Sequence, residues 1–353
     1  MNVLAGIIFH LIGGGASGSF YLPYKKVKGW AWESYWIVGG LFSWLIVPPL
    51  AAWLTVPGFF EIIRNTPFAV TGWTFFFGLL WGIGGLTYGL GVRYLGMSLG
   101  NSITLGFCSA LGAIIPSVYY DLVPQAGKVS FTDMCSQSWG LVVLLGIVLC
   151  LTGIYICGRA GVLKERELSE EDKKKSVAEF SVKKGITVAI ISGTLSACFN
   201  FGIEAGQPMA ETALATTNMN PLFQNNVIYV VLLWGGLTTN FIWCMILNAK
   251  NKTAGDYTNK QTPLLKNYIF SALAGTTWFL QFFFYGMGES KLGNGASSWI
   301  LHMTFIILIA NTWGIVLNEW KGVSTKTRYT IITGIVVLIT SVVVVAYGNS
   351  INH

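Results

Sequence analysis

Ten segments of about 20 mainly apolar residues constrain the fold of this chain more than any other feature. A helix of that length crosses the hydrocarbon core of a bilayer. The apolar runs are too long, and alternate too little, for the strands of an outer-membrane barrel. We therefore predict an all-α membrane protein with ten transmembrane helices. Their predicted ranges are 3–21, 34–54, 71–92, 98–120, 138–157, 185–205, 222–247, 267–288, 296–317 and 329–347.

The composition argues against a soluble enzyme. Of the 353 residues, 53% are hydrophobic and only 10% are charged, which leaves too little polar surface for a soluble fold. The sequence contains no CxxC, HExxH or P-loop motif, so we expect no metal, no cofactor and no drive by ATP. Matches to enzyme motifs at 13–18 and 96–100 lack the strands that those motifs require. We expect a protein that is not an enzyme.

The basic residues predict how the chain is oriented in the membrane. All but three of the 22 Lys and Arg residues fall in connections on one side, the exceptions being Arg64, Lys128 and Lys291. Cytoplasmic connections of membrane proteins are enriched in Lys and Arg. We therefore predict that both termini face outward, and we interpret the net charge of +7 as a sign of orientation rather than of nucleic-acid binding.

Two pairs of predicted spans show an internal repeat. The third and eighth spans share Trp, Tyr and Gly residues at one constant offset, as in Trp81 and Trp278, and the first and sixth spans match at another, as in Gly14 and Gly193. Five spans in each half would insert the second half upside down, an architecture common among secondary transporters. We predict a first repeat at 1–158, a basic cytoplasmic linker at 159–184 and a second repeat at 185–353, which rock against each other to give alternating access.

Polar side chains inside the spans are the candidate substrate site. At a rise of about 1.5 Å per residue, four of them reach one depth and are expected to share an aqueous cavity. Three side chains on the eighth span, spaced i, i+3 and i+7, share a face that presents an indole beside an amide and a hydroxyl, a combination suited to a sugar. Hydrogen bonding between helices or simple packing is the alternative for each. The candidate substrate-binding residues are His10, Asn200, Trp278, Gln281, Tyr285 and His302.

Three residues are candidates for coupling transport to protons. His titrates near physiological pH, which makes His10 and His302 possible proton carriers. Glu204, in the sixth span, is the third candidate, with exposure to solvent near the outer end as the alternative.

Several motifs resemble a known family. They are HLIG at 10–13, YKKVKGW at 24–30, WGIG at 81–84, RYLGMS at 93–98, QFFFY at 281–285 and SWILHM at 298–303. These stretches resemble the bacterial L-rhamnose–proton symporter family, part of the drug/metabolite transporter superfamily, over nearly the whole chain. The resemblance implies two inverted five-helix repeats, the inner membrane as location, proton-driven import of L-rhamnose and ligand contacts in a central cavity.

Other functions remain open from the sequence. A transporter of another deoxysugar or small metabolite, including an exporter of the drug/metabolite type, is the nearest alternative, and a membrane-embedded enzyme or receptor is the alternative from a different class. We expect the sugar, protons and the lipid bilayer as partners, with no nucleic acid and no obligate protein partner.

Overall fold

A computed structural model describes residues 2–125, 127–167, 182–316, 320 and 322–351. Within these ranges the regular structure is helical and contains no strand, so the predicted all-α class is confirmed. A π-helical segment, Leu41–Ile46, joins the third and fourth helices. The helices are α1 (Val3–Ser19), α2 (Tyr21–Tyr24), α3 (Trp32–Gly40), α4 (Val47–Thr55), α5 (Phe59–Asn65), α6 (Phe68–Leu122), α7 (Phe131–Ser136), α8 (Ser138–Glu167), α9 (Val182–Ala205), α10 (Gln207–Thr216), α11 (Asn226–Asn251), α12 (Leu264–Leu292), α13 (Gly295–Val316) and α14 (Thr325–Ile351).

Nine segments of the described chain are long and apolar enough to cross a membrane. They coincide with nine of the ten predicted spans. The predicted eighth span, 267–288, coincides with α12, which has 29 residues and is therefore about 43 Å long, more than the bilayer core requires. Polar residues such as Asn267, Ser271 and Gln281 make α12 less apolar than the other nine segments.

Large apolar side chains cover the outer surface of the helices. Leu4 and Trp53 are each 68% exposed, and Phe68 is 87% exposed. A contiguous apolar surface of this kind is unfavourable in water but is solvated by lipid tails. Together with the nine candidate spans, this surface makes the chain a multi-pass membrane protein.

Helix α6 folds back on itself, although helical backbone is assigned throughout its 55 residues. Gly202 and Glu204 are two residues apart on α9, yet Gly202 approaches Phe77 and Glu204 contacts Tyr120. A straight helix would separate Phe77 and Tyr120 by about 65 Å. The two halves of α6 therefore run in opposite directions along α9, as expected for the third and fourth predicted spans.

The remaining long helices pack in pairs. Helix α1 lies against α12 and α13, α9 lies against both halves of α6, and α8 lies against α14. Small residues allow these close approaches: a Cβ atom at Gly153 would lie 2.7 Å from Leu338 Cγ. Helix α8 continues through residue 167 and so includes the start of the predicted linker 159–184. The run 173–175 in that linker lies outside the described residues.

Two glycine pairs bring backbones into direct contact. A Cβ atom at Gly78 in α6 would overlap the carbonyl oxygen of Leu232 and approach Gly235 in α11. A Cβ atom at Gly275 in α12 would overlap the carbonyl oxygen of Gly39 in α3. These positions admit only glycine without a shift of the neighbouring helix.

We predict that Gly78→Ala destabilises the protein, whereas Gly85→Ala on the same helix does not. The added methyl group at position 78 must displace a backbone carbonyl, a distortion that costs about 1–3 kcal/mol. A Cβ atom at Gly85 would have no packing neighbour within 4 Å, and alanine favours a helix more than glycine does. Thermal unfolding of both variants in detergent measures the difference. Equal unfolding temperatures would contradict the close contact at Gly78.

Candidate functional site

Three aromatic side chains from three helices meet in the protein interior. The ring centroids of His10 on α1 and Tyr285 on α12 lie 5.4 Å apart, and those of Tyr285 and His302 on α13 lie 5.2 Å apart. The two imidazole centroids are 6.0 Å apart. The side chains are at most 1% exposed. Of the four residues predicted to share one depth, His10 and His302 are thus brought together, with Tyr285 between them.

Several polar atoms of this cluster lack a hydrogen-bond partner among the described residues. They are both ring nitrogens of His10, both ring nitrogens of His302 and the Nε2 atom of Gln281. Each unpaired buried polar group costs about 1–3 kcal/mol, so native proteins keep few of them. The four imidazole nitrogens lie in one place, and the fifth atom is on α12, the helix that carries Tyr285. Unpaired atoms of this kind are typical of a site whose partners come from a ligand or from water.

The backbone of Gln281 lies close to the cluster, where helices α1 and α12 approach each other. A Cβ atom at Gly13 would lie 2.8 Å from the carbonyl oxygen of Gln281 and 3.3 Å from Cε1 of His302. The glutamine side chain is only 4% exposed. The absence of a side chain at Gly13 therefore allows α1 to lie next to the backbone of Gln281.

Asn200 connects the cluster to two further helices. The Tyr285 hydroxyl donates to Oδ1 of Asn200 at 3.3 Å, and Nδ2 of Asn200 donates to the carbonyl oxygen of Gly112 at 2.8 Å. The amide thus joins α12 to α9 and to the second half of α6. It fixes the orientation of the Tyr285 ring against the two histidines.

Trp278 lies apart from the histidines, in a cluster of aromatic side chains. Its ring centroid is 5.9 Å from Trp44 and 5.5 Å from Trp81, its counterpart in the predicted repeat. Phe282 connects the two clusters, with its ring 5.0 Å from Trp278 and 6.2 Å from His302. The cavity beside Trp278 has about 10 Å³, the size of one water molecule.

Glu204 forms an ion pair near the end of α9. Its Oε2 atom accepts a hydrogen bond from Nζ of Lys128 at 2.7 Å and another from the hydroxyl of Tyr120. The side chains of Glu204 and Lys128 are 13% and 24% exposed. The predicted candidate is therefore a partly buried, paired carboxylate rather than a freely solvated one.

A second carboxylate, Glu289, was not predicted from the sequence. It is 8% exposed, and its Oε2 atom accepts a hydrogen bond from Nδ2 of Asn225 at 2.5 Å. Glu289 follows the predicted end of the eighth span by one residue, so it was not counted among the residues inside spans. Its position four residues after Tyr285, on the same helix face, is the sequence signal that identifies it.

Trp299 is a further residue of the cluster that sequence reasoning did not identify. Its Nε1 donates to the carbonyl oxygen of Cys108 at 3.1 Å, and its ring centroid lies 6.1 Å from that of Tyr285. The SWILHM motif that carries the resemblance contains this residue. Within the described part of the chain, no group of three or more His, Cys, Asp or Glu side chains is arranged to hold a metal ion.

Comparison with known proteins places this sequence in a family. A family model described as L-rhamnose-proton symport protein matches residues 1–351. The chain belongs to this family. The resemblance predicted from the motifs is therefore confirmed, and the family consists of transporters rather than enzymes.

Curated relatives match this chain over nearly its whole length. Proteins named L-rhamnose-proton symporter from Cronobacter sakazakii and from Yersinia pestis are each 36% identical to this chain. The matches extend over 355 and 351 residues and cover 99% and 98% of this chain. They cover the same shares of the two relatives, so the similarity extends to the whole transporter in both cases.

Proposed function

We propose that this protein imports L-rhamnose together with protons across the bacterial inner membrane. The observation that carries the proposal is the set of unpartnered polar atoms on His10, Gln281 and His302 in the membrane interior. A sugar supplies hydroxyl groups that both donate and accept hydrogen bonds, which suits neutral imidazole rings and an amide. Family membership supports L-rhamnose as the sugar, the substrate in the names of the relatives.

The aromatic side chains around these atoms suit a 6-deoxysugar. Phe282 and Tyr285 present ring surface beside His302, and apolar C–H groups of a sugar pack against such surfaces. Asn200 orients Tyr285 through the hydrogen bond to its hydroxyl. Trp278 contacts the same region through Phe282, so its predicted role in binding requires a movement of the aromatic cluster.

The protein is proposed to contain ten transmembrane helices in two inverted repeats, at 1–158 and 185–353, with the linker 159–184 between them. Equivalent contacts in the two halves support this. Gly78 approaches Gly235. Gly275 follows Gly78 by the same number of residues as Trp278 follows Trp81, and it approaches Gly39. Helix α1 packs on α12 and α13 as α9 packs on the two halves of α6.

The contact of His10 has a counterpart in the other half. A Cβ atom at Gly288 would lie 2.7 Å from Nε2 of His10. At the equivalent positions, a Cβ atom at Gly91 would lie 3.5 Å from Ala189. One half of the duplication thus carries the histidine, and the other carries alanine at the same place.

Alternating access is the proposed transport cycle. His10, Gln281 and His302 are each less than 5% exposed, so a sugar reaches them only after helices move. Rocking of one repeat against the other opens such a site to each side in turn. The distribution of Lys and Arg supports outward-facing termini, because the connections after odd-numbered spans hold nearly all the basic residues.

Vesicles that contain the protein are predicted to accumulate L-rhamnose against its gradient when the outside is acidic. A proton gradient supplies the free energy of uphill uptake, so a protonophore should reduce uptake to equilibration. The measurement is uptake of labelled L-rhamnose, with vesicles lacking the protein as control and L-fucose as a competing 6-deoxysugar. Uphill uptake that resists the protonophore would contradict symport, and preferential uptake of L-fucose would contradict the assigned substrate.

We predict that Gly288→Ala weakens L-rhamnose binding, whereas Gly91→Ala preserves it. The methyl group at position 288 must displace the His10 ring, while at position 91 it makes an ordinary contact with Ala189. Loss of one hydrogen bond to the sugar, about 1.4 kcal/mol, weakens binding about tenfold. Calorimetric titration of both purified variants measures the difference, with thermal unfolding as the check on folding. Equal affinities would remove His10 from the sugar site.

A further inference from the structure

A buried carboxylate and a partly buried one converge at one end of the helix bundle. A Cβ atom built at Gly295, the first residue of α13, would lie 2.9 Å from Oε1 of Glu204 and 3.6 Å from Oε1 of Glu289. Glu204 comes from α9 and Glu289 from α12. The two side chains thus reach the same point from different helices, next to a residue that has no side chain of its own.

Among the described residues, one positive charge faces the two carboxylates. Lys128 pairs with Glu204 at 2.7 Å, while Glu289 receives its hydrogen bond from the neutral amide of Asn225. The hydroxyl groups around the pair are neutral. The titratable and charged groups that face the pair are Tyr120 on α6, Lys128 before α7, Tyr229 on α11 and Tyr285 on α12.

A proton balances the charge of this arrangement. Two ionised carboxylates beside one ammonium group leave an excess negative charge in a poorly solvated position, which is costly to bury. Neighbouring carboxylates in this situation hold one proton between them. When either carboxylate binds that proton, the other stays ionised. Its negative charge then balances the positive charge of Lys128, so the cluster is neutral overall.

Asn225 is suited to both protonation states of its partner. Its Oδ1 atom is buried and has no hydrogen-bond partner among the described residues, while its Nδ2 atom donates to Glu289. The two orientations of an asparagine amide exchange its donor and its acceptor. An ionised Glu289 accepts from Nδ2, and a protonated Glu289 donates to Oδ1 once the amide has turned over.

The carboxylates lie on the two helices that the Tyr285–Asn200 hydrogen bond joins. Glu204 follows Asn200 by four residues, and Glu289 follows Tyr285 by four, so each carboxylate is one helical turn beyond a partner of the Tyr285–Asn200 hydrogen bond. A change of charge at the pair therefore acts between α9 and α12 close to the proposed sugar site. The partial exposure of Glu204 gives protons a route to the pair.

We propose that Glu204 and Glu289 together form the proton-binding site of transport, in which one of the two carboxylates binds the transported proton. The proposal rests on the proposed function and deepens it, since it assigns the coupled ion to named oxygen atoms outside the histidine cluster. His10 and His302 then bind sugar, and the carboxylate pair determines whether transport is driven by the proton gradient.

Transport by Glu289→Gln in proteoliposomes separates proton coupling from sugar binding. Glutamine retains the shape of the side chain and can still accept the hydrogen bond from Asn225, but it neither takes up nor releases a proton during transport. We expect the variant to bind L-rhamnose and to exchange labelled for unlabelled sugar, and to lose both uphill accumulation and proton movement driven by L-rhamnose. Glu211→Gln, an exposed carboxylate on α10, is the matched control and should retain all four properties.

Two further variants keep the test decisive. Glu204→Gln should show the same loss as Glu289→Gln, and it decides the question if Glu289→Gln fails to bind sugar because of misfolding. Lys128→Gln removes the positive charge and should shift the pH profile of uphill uptake to higher pH, because the pair then holds its proton more tightly.

Uphill uptake with proton movement in both glutamine variants would overturn the proposal. So would loss of sugar binding and exchange in a folded Glu204→Gln protein, since that result assigns the pair to binding. Failure of proton symport itself is distinguishable, because the wild-type protein would then take up L-rhamnose without moving protons.

Discussion

The lack of alternative partners for polar groups inside a membrane is the constraint on which this structure depends. Lipid tails offer no hydrogen bonds, so buried polar atoms must be paired within the protein or by what the protein binds. Asn200 and Trp299 meet this requirement through backbone carbonyl groups. The ring nitrogens of His10 and His302 and Nε2 of Gln281 have no such partner among the described residues, and the two imidazole rings lie together. This is why these side chains, rather than Asn200 and Trp299, are proposed to bind the substrate.

Glycine contacts determine how closely the helices that carry these side chains approach. Gly13 lets α1 reach the backbone of Gln281, and Gly288 leaves room for the ring of His10. Gly91, the equivalent of Gly288 at the offset of the Trp81–Trp278 match, lies next to Ala189 rather than a histidine. The proposed duplication would therefore be followed by divergence of single side chains, which makes the site asymmetric.

The spans were predictable because a 20-residue apolar run is a local property of the sequence. Among the ten predicted spans, the one at α12 is less apolar than the others because of polar residues such as Asn267, Ser271 and Gln281. Helix periodicity also indicated the shared face of Gln281 and Tyr285. It did not predict that Trp278 packs against Trp44 and Trp81, because those contacts depend on how other helices are placed. Glu289 was missed because a carboxylate ends an apolar run, so hydropathy places it outside the span even where the helix continues and buries it.

Calorimetric titration of L-rhamnose into the purified wild-type protein and into Gln281→Ala tests whether the unpaired polar groups bind the sugar. We expect binding by the wild type, a loss of at least about tenfold in affinity when the amide is removed, and an unchanged unfolding temperature. Gln261→Ala, an exposed glutamine in the connection before α12, is the control and should bind as the wild type does. Equal affinity of Gln281→Ala and the wild type would contradict the assignment of the unpaired polar cluster to the sugar.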